Sequence, residues 1–122
     1  MRCIKFIITI VFVLVASITY SQYIDLSKAA IWVSSDKKIP LDKPVQVLRE
    51  EIVKRTQLLL PVVTKHPDEG QPVIYILTDD RESKLPKALR ELLNTVAVPG
   101  NEGFRLIVLK QQNAVLITAR DA

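Results

Sequence analysis

The one histidine, His66, is the first residue to test for chemistry, and it sits in the loop HPDEGQP over residues 66–72. A metal site there would need a second histidine or a cysteine at ligand spacing. The sequence offers neither, so His66 reads as a solvated loop residue. Asp79 and Asp80, with Glu82 nearby, have the oxygen donors for a calcium ion. They lack the alternating-ligand loop with its central glycine, and the better reading is a charged loop.

Acid–base chemistry needs a carboxyl in an apolar pocket that shifts its pKa. The thirteen acidic residues all fall on expected loops or outer helix faces. Gly70, Gly100 and Gly103 are too scattered to cradle a phosphate. The sequence also has no serine in a nucleophile elbow. An exposed aromatic pair could stack on a sugar ring, but Trp32 and Tyr75 each lie inside an apolar strand-like run, which points to core packing. Lys84, Lys87 and Arg90 read as an ordinary solvated face. No residue is assigned to catalysis, a cofactor or a metal.

The elements that would position any site are legible from the spacing. Residues 29–34 (AAIWVS) form an apolar, β-favouring run that ends in a polar loop. Asp42 can cap a helix whose first turn tolerates Pro44. Val45, Leu48, Ile52, Thr56 and Leu59 follow at helical spacing. Glu50 with Lys54, and Glu51 with Arg55, are favourably ordered outer pairs. That helix must stop before Pro61.

Residues 61–64 read as a brief extended piece, and residues 73–77 (VIYIL) as a strand covered on both faces. Ser83 is the expected cap of a second helix with an apolar stripe of Leu85, Ala88, Leu89, Leu92, Leu93 and Val96, ended by Pro99 and Gly100. Residues 103–110 (GFRLIVLK) and 114–119 (AVLITA) form an antiparallel hairpin, with Asn113 suited to a positive φ. The order β-α-β-β-α-β-β implies an α+β two-layer sandwich, with both helices on one face of a mixed sheet.

Ahead of this domain, residues 1–21 carry Arg2 and Lys5, an apolar run from 6 to 16, and a small or polar exit at Ser17, Thr19 and Ser21. That is the order of a cleavable signal peptide, and the run is short for a membrane anchor. The expected division is therefore residues 1–21 as signal and 22–122 as one exported domain, periplasmic, extracellular or at the cell surface. Cleavage removes Arg2 and Lys5 from the seventeen basic residues, so the formal charge falls from +4 to +2. A charge this small gives no reason to expect nucleic acid or an acidic membrane as partner. The only cysteine, Cys3, leaves with the peptide. Stability must then come from a core rather than from disulfides.

The motif order carries more than any single residue. The first helix ends RTQLLLPVV over residues 55–63, and EGFRL at 102–106 opens a hairpin whose second strand ends VLITARDA at 115–122. This resembles the non-catalytic N-terminal domain of secreted bacterial glycoside hydrolases: the β-N-acetylhexosaminidases of family 20 and the α-glucuronidases of families 67 and 115. The resemblance runs from about Ala29 to Ala122. Gln57 departs from it where a glycine usually follows the threonine, and Thr78-Asp79 stands where a glycine ending is common.

In such enzymes the acid and base carboxylates sit on a TIM barrel that follows this domain. After the residues matching Asp121-Ala122 comes a turn and a further helix. The resemblance therefore implies a supporting domain whose partner is a catalytic barrel, with this chain a fragment lacking it. It also implies an uncovered apolar sheet face or edge where that helix is missing. The alternative is a stand-alone exported module that binds a glycan or a protein. No catalytic residue can be carried over in either case.

Overall fold

The computed structural model describes residues 23–34, 42–98 and 100–120, the side chains of Asp79 and Arg81 excepted. The expected signal peptide, the loop after Ser34, Pro99 and the terminal Asp121-Ala122 lie outside these residues. Among the described residues, no helix is long and apolar enough to cross a membrane.

Five strands form one mixed sheet: β1 (Ala30–Val33), β2 (Val62–Val63), β3 (Val73–Thr78), β4 (Phe104–Leu109) and β5 (Ala114–Ala119). They lie in the order β2-β1-β3-β5-β4. The first four in that order run parallel, and β4 returns antiparallel at the edge. Helix α1 (Asp42–Thr56) connects β1 to β2, and α2 (Lys87–Leu93) lies between β3 and β4. The mixed sheet with two helices matches the expected α+β order. Asn113 closes the hairpin with φ 50°, as the sequence implied.

The placing of the helices is a correction. Along β1 and β3 the side chains alternate between faces. Ile31, Val33 and Ile74 pack with Val45 of α1, and Ile52 joins them. Trp32, Tyr75 and Leu77 pack with Leu89 and Leu93 of α2. The helices thus cover opposite faces of the sheet rather than one. The reason is the direction of travel. From β1 the chain moves outward to β2 across the α1 face. It then moves back past β1 to β3 across the other face, where His66 of the connecting loop meets Trp32. Opposite directions on opposite faces give both parallel crossovers one hand, as right-handed connection demands.

Helix α1 carries Asp42 in its first turn and Lys54 and Arg55 in its last, which suits the helix dipole. Glu51 pairs with Arg55 as expected, at 3.1 Å. Glu50 instead accepts from Gln46 Nε2 at 2.8 Å, and Lys54 turns to Glu51 at 3.6 Å. The helix ends earlier than the apolar stripe suggested. Leu59 is 68% exposed, because the chain leaves the helix at Gln57 with φ 60°. The Gln57 N–H still donates to Val53 O at 2.8 Å, closing the last turn. Glycine adopts this left-handed geometry without the steric cost that a side chain brings. Gln57→Gly should therefore stabilise the domain by about 0.5–1 kcal/mol, read as a rise in the urea midpoint at constant slope. An unchanged or lowered midpoint would contradict that account.

The second helix also differs from expectation. Ser83 belongs to a 3-10 turn, Asp79–Lys84, and α2 starts only at Lys87. Pro86 explains this, since a residue before proline avoids helical geometry and Leu85 is extended at φ −71°, ψ 152°. Leu85, Leu89 and Leu93 are buried, whereas Ala88 and Val96 face solvent.

One part of the molecule is bare. On the α1 face, that helix covers β1 and β3 but leaves β5 and β4 largely open. Phe104, Leu106 and Val108 of β4 are 72%, 58% and 56% exposed beside the half-buried Val115 and Ile117.

Candidate functional site

Among the described residues, the buried polar side chains are Ser34, Thr78, Arg105 and Thr118. They share one location. Ser34 follows β1, Thr78 ends β3, Thr118 is near the end of β5, and Arg105 pairs with Thr118 from the start of β4. All four lie at the carboxyl end of the parallel strands, the end at which open sheets usually place ligands.

Two of them, Arg105 and Thr118, bond to each other. Arg105 Nε donates to Thr118 Oγ1 at 3.1 Å, and Arg105 Nη2 donates to Glu82 Oε1 in an ion pair. Thr78 Oγ1 donates to Asp80 Oδ1. Ser34 Oγ is buried without a hydrogen-bond partner. The buried arginine is the element that the sequence reading missed. Its signal was the strand alternation, which puts residue 105 on the same side as Ile107 and Leu109 and therefore toward the α2 core.

The two described carboxylates of the calcium candidate are engaged by neighbouring side chains. Glu82 is committed to Arg105, Asp80 accepts from Thr78, and the side chain of Asp79 lies outside the described residues. Among the described residues, no group of three or more His, Cys, Asp or Glu side chains could hold a metal ion. Lys84, Lys87 and Arg90 are exposed, as the sequence suggested, and Lys87 reaches Glu91 at 3.7 Å.

His66 is exposed, but it is more than a solvated loop residue. Its ring stacks on Trp32 with centroids 4.8 Å apart and planes at 11°, and it tilts against Tyr75 at 6.0 Å. Its Nε2 lies 3.2 Å from the Lys84 carbonyl oxygen. The three rings pin the β2–β3 loop to the sheet. Trp32 and Tyr75 are buried, in line with core packing rather than sugar stacking.

Burial holds the Tyr75 phenol above its ordinary pKa of 10.0. The folded state thus binds this proton more tightly than the unfolded state. Its contribution to stability is complete below pH 10 and is lost as pH rises through the folded value. With Tyr23 replaced by Phe, ultraviolet titration of residues 23–122 should show the remaining phenol ionising later than free tyrosine. Ionisation at or below the free value would refute this.

The described surface also carries hollows. A groove of about 650 Å³ runs between α1 and β2, with Val45, Val53, Leu59 and Val62 as its apolar lining. Arg49 lies in it with a buried Nε that has no hydrogen-bond partner. A second hollow, of about 370 Å³, opens beside His66, Tyr75 and Leu89. Neither brings together a nucleophile and a base. The described arrangement can hold the sheet's end together and offer surface, and it contains no pair poised for proton transfer. The fold and site thus describe a small mixed α+β domain. The chain matches no protein-family model, no curated protein and no solved structure.

Proposed function

We propose that this chain is the non-catalytic N-terminal domain of a secreted carbohydrate-active glycoside hydrolase of the hexosaminidase or α-glucuronidase kind, and that a catalytic barrel in the longer protein supplies the chemistry. One observation carries the reading. The apolar half-face over β4 and β5 is open, with Phe104, Leu106 and Val108 all more than half exposed. An uncovered sheet face is what the resemblance implies for such a domain without the helix that follows it. Exposed apolar surface of this kind marks a site of contact rather than a finished exterior. Gln57 at φ 60° occupies the place where those domains carry glycine.

The test is to read the DNA beyond codon 122 and to compare two proteins. Residues 22–122 alone should melt at low temperature and bind a hydrophobic dye, whereas a longer chain with the downstream barrel should do neither. A genuine stop with no barrel in any frame, or a highly soluble and thermostable 22–122, would end the proposal.

A further inference from the structure

Strand β4 has an open edge, and its hydrogen-bonding parity can be worked out. The Arg120 N–H donates to Gly103 O at 2.9 Å. Phe104 and Ala119 are therefore a pair without direct hydrogen bonds, and the exchange with β5 falls on Arg105, Ile107 and Leu109. It follows that the N–H and C=O groups of Phe104, Leu106 and Val108 all point away from β5, toward the open edge. The same three residues expose their side chains. Along β4 there is no proline and no charged side chain among the edge-facing residues, and the strand is six residues long; the one protection within it is the inward-pointing Arg105, which leaves the outer edge itself uncharged.

From this geometry we infer that β4 is the contact strand of a two-fold symmetric dimer, with a second copy of this chain as the occupant of the edge. An antiparallel pairing centred on Leu106 sets Leu106 opposite itself and Phe104 opposite Val108. Each of these pairs faces the other with outward N–H and C=O groups, so each can exchange two hydrogen bonds. The aromatic–β-branched pairing is among the favourable cross-strand contacts. The same register places Glu102 of one copy opposite Lys110 of the other just beyond the strand ends, so the charges attract. The match of a strand to its own reverse is what an isologous interface requires. The other edge strand, β2, spans two residues and follows Pro61, and is a poor competitor.

The size of the contact sets its strength. The three side chains offer roughly 350 Å² of apolar surface per copy, short of the roughly 800 Å² per partner of a standard stable interface. The dimer is accordingly weak and reversible. It does not depend on the function proposed above, because the hydrogen bonds lie in the plane of the sheet and a helix over the face would leave the edge free.

The experiment is sedimentation of the purified chain across a concentration series, with Leu106→Pro and Leu106→Lys alongside. Proline at 106 removes only an outward N–H, so the β4–β5 ladder keeps all its bonds. Lysine sets two like charges opposite each other across the axis. Both should raise the dissociation constant at least about tenfold with an unchanged circular dichroism spectrum, and the lysine variant decides if the proline variant misfolds. A wild-type chain that stays monomeric at several hundred micromolar would overturn the inference. So would a dimer indifferent to both variants, or open-ended growth in place of a dimer.

Discussion

Leu116→Ala should cost about 3 kcal/mol of stability and lower Tm by roughly 12–20 °C. Leu116 is 1% exposed and lies at the middle of β5, opposite Tyr75 on one side and Ile107 on the other. Its side chain belongs to the cluster that also holds Leu89, Leu93 and Trp32. Removing three carbons there leaves a cavity between strands held on both sides by hydrogen bonds, so the surroundings have little room to collapse. A domain of this size holds roughly 5–10 kcal/mol in all, and the substitution would consume a large part of it. Leu106→Ala is the control. Leu106 projects to the opposite face of the neighbouring strand and is 58% exposed, so its loss should fall within about 0.5 kcal/mol. Paired urea titrations decide the matter, and equal costs at the two leucines would refute the assignment of faces.

Glu82→Ala is expected to cost about 2–3 kcal/mol, and more than Arg105→Met. The asymmetry follows from burial. The side chain of Arg105 is 7% exposed and that of Glu82 is 25% exposed. Taking the glutamate away removes an ion-pair partner from a guanidinium that water reaches poorly, while its bond to Thr118 Oγ1 remains. Taking the arginine away leaves a carboxylate that can turn to solvent, while the methionine fills the space. Chemical denaturation of both variants gives the comparison. A larger loss for Arg105→Met would mean that the pair is valued for the charge of the arginine rather than for its partner.

What the sequence made legible was local. The 3.6-residue spacing of Val45, Leu48 and Ile52 located α1, and two strand-like runs joined by the short link at 111–113 located the hairpin. The covered strand at residues 73–77 showed as a run without polar residues, and it lies mid-sheet. Pro86 disfavours helical geometry at Leu85, and this local effect sets the start of α2 at Lys87.

The faces of the two helices were not legible, because they depend on the direction in which the chain crosses the sheet. The resemblance implies an uncovered apolar face or edge, but which strands carry it depends on the same strand order. Leu106 and Leu116 are alike as letters, and only the strand order separates an edge from an interior. The ring stack of His66 on Trp32 joins residues far apart in the chain, and no local spacing could announce it.

The sheet order bears finally on when this domain can fold. Strand β5 is the last described strand, yet it sits between β3 and β4. The parallel pairs β1–β3 and β3–β5 each join segments about forty residues apart, a separation that slows folding through the entropy of loop closure. The β4–β5 hairpin is the cheap local event, and it must form or dock before β4 can join the sheet at all. A ribosome-bound chain lacking residues 114–119 would have no central pairing for β3 on one side and no attachment for β4. Folding of the sheet is therefore postponed until synthesis has passed β5.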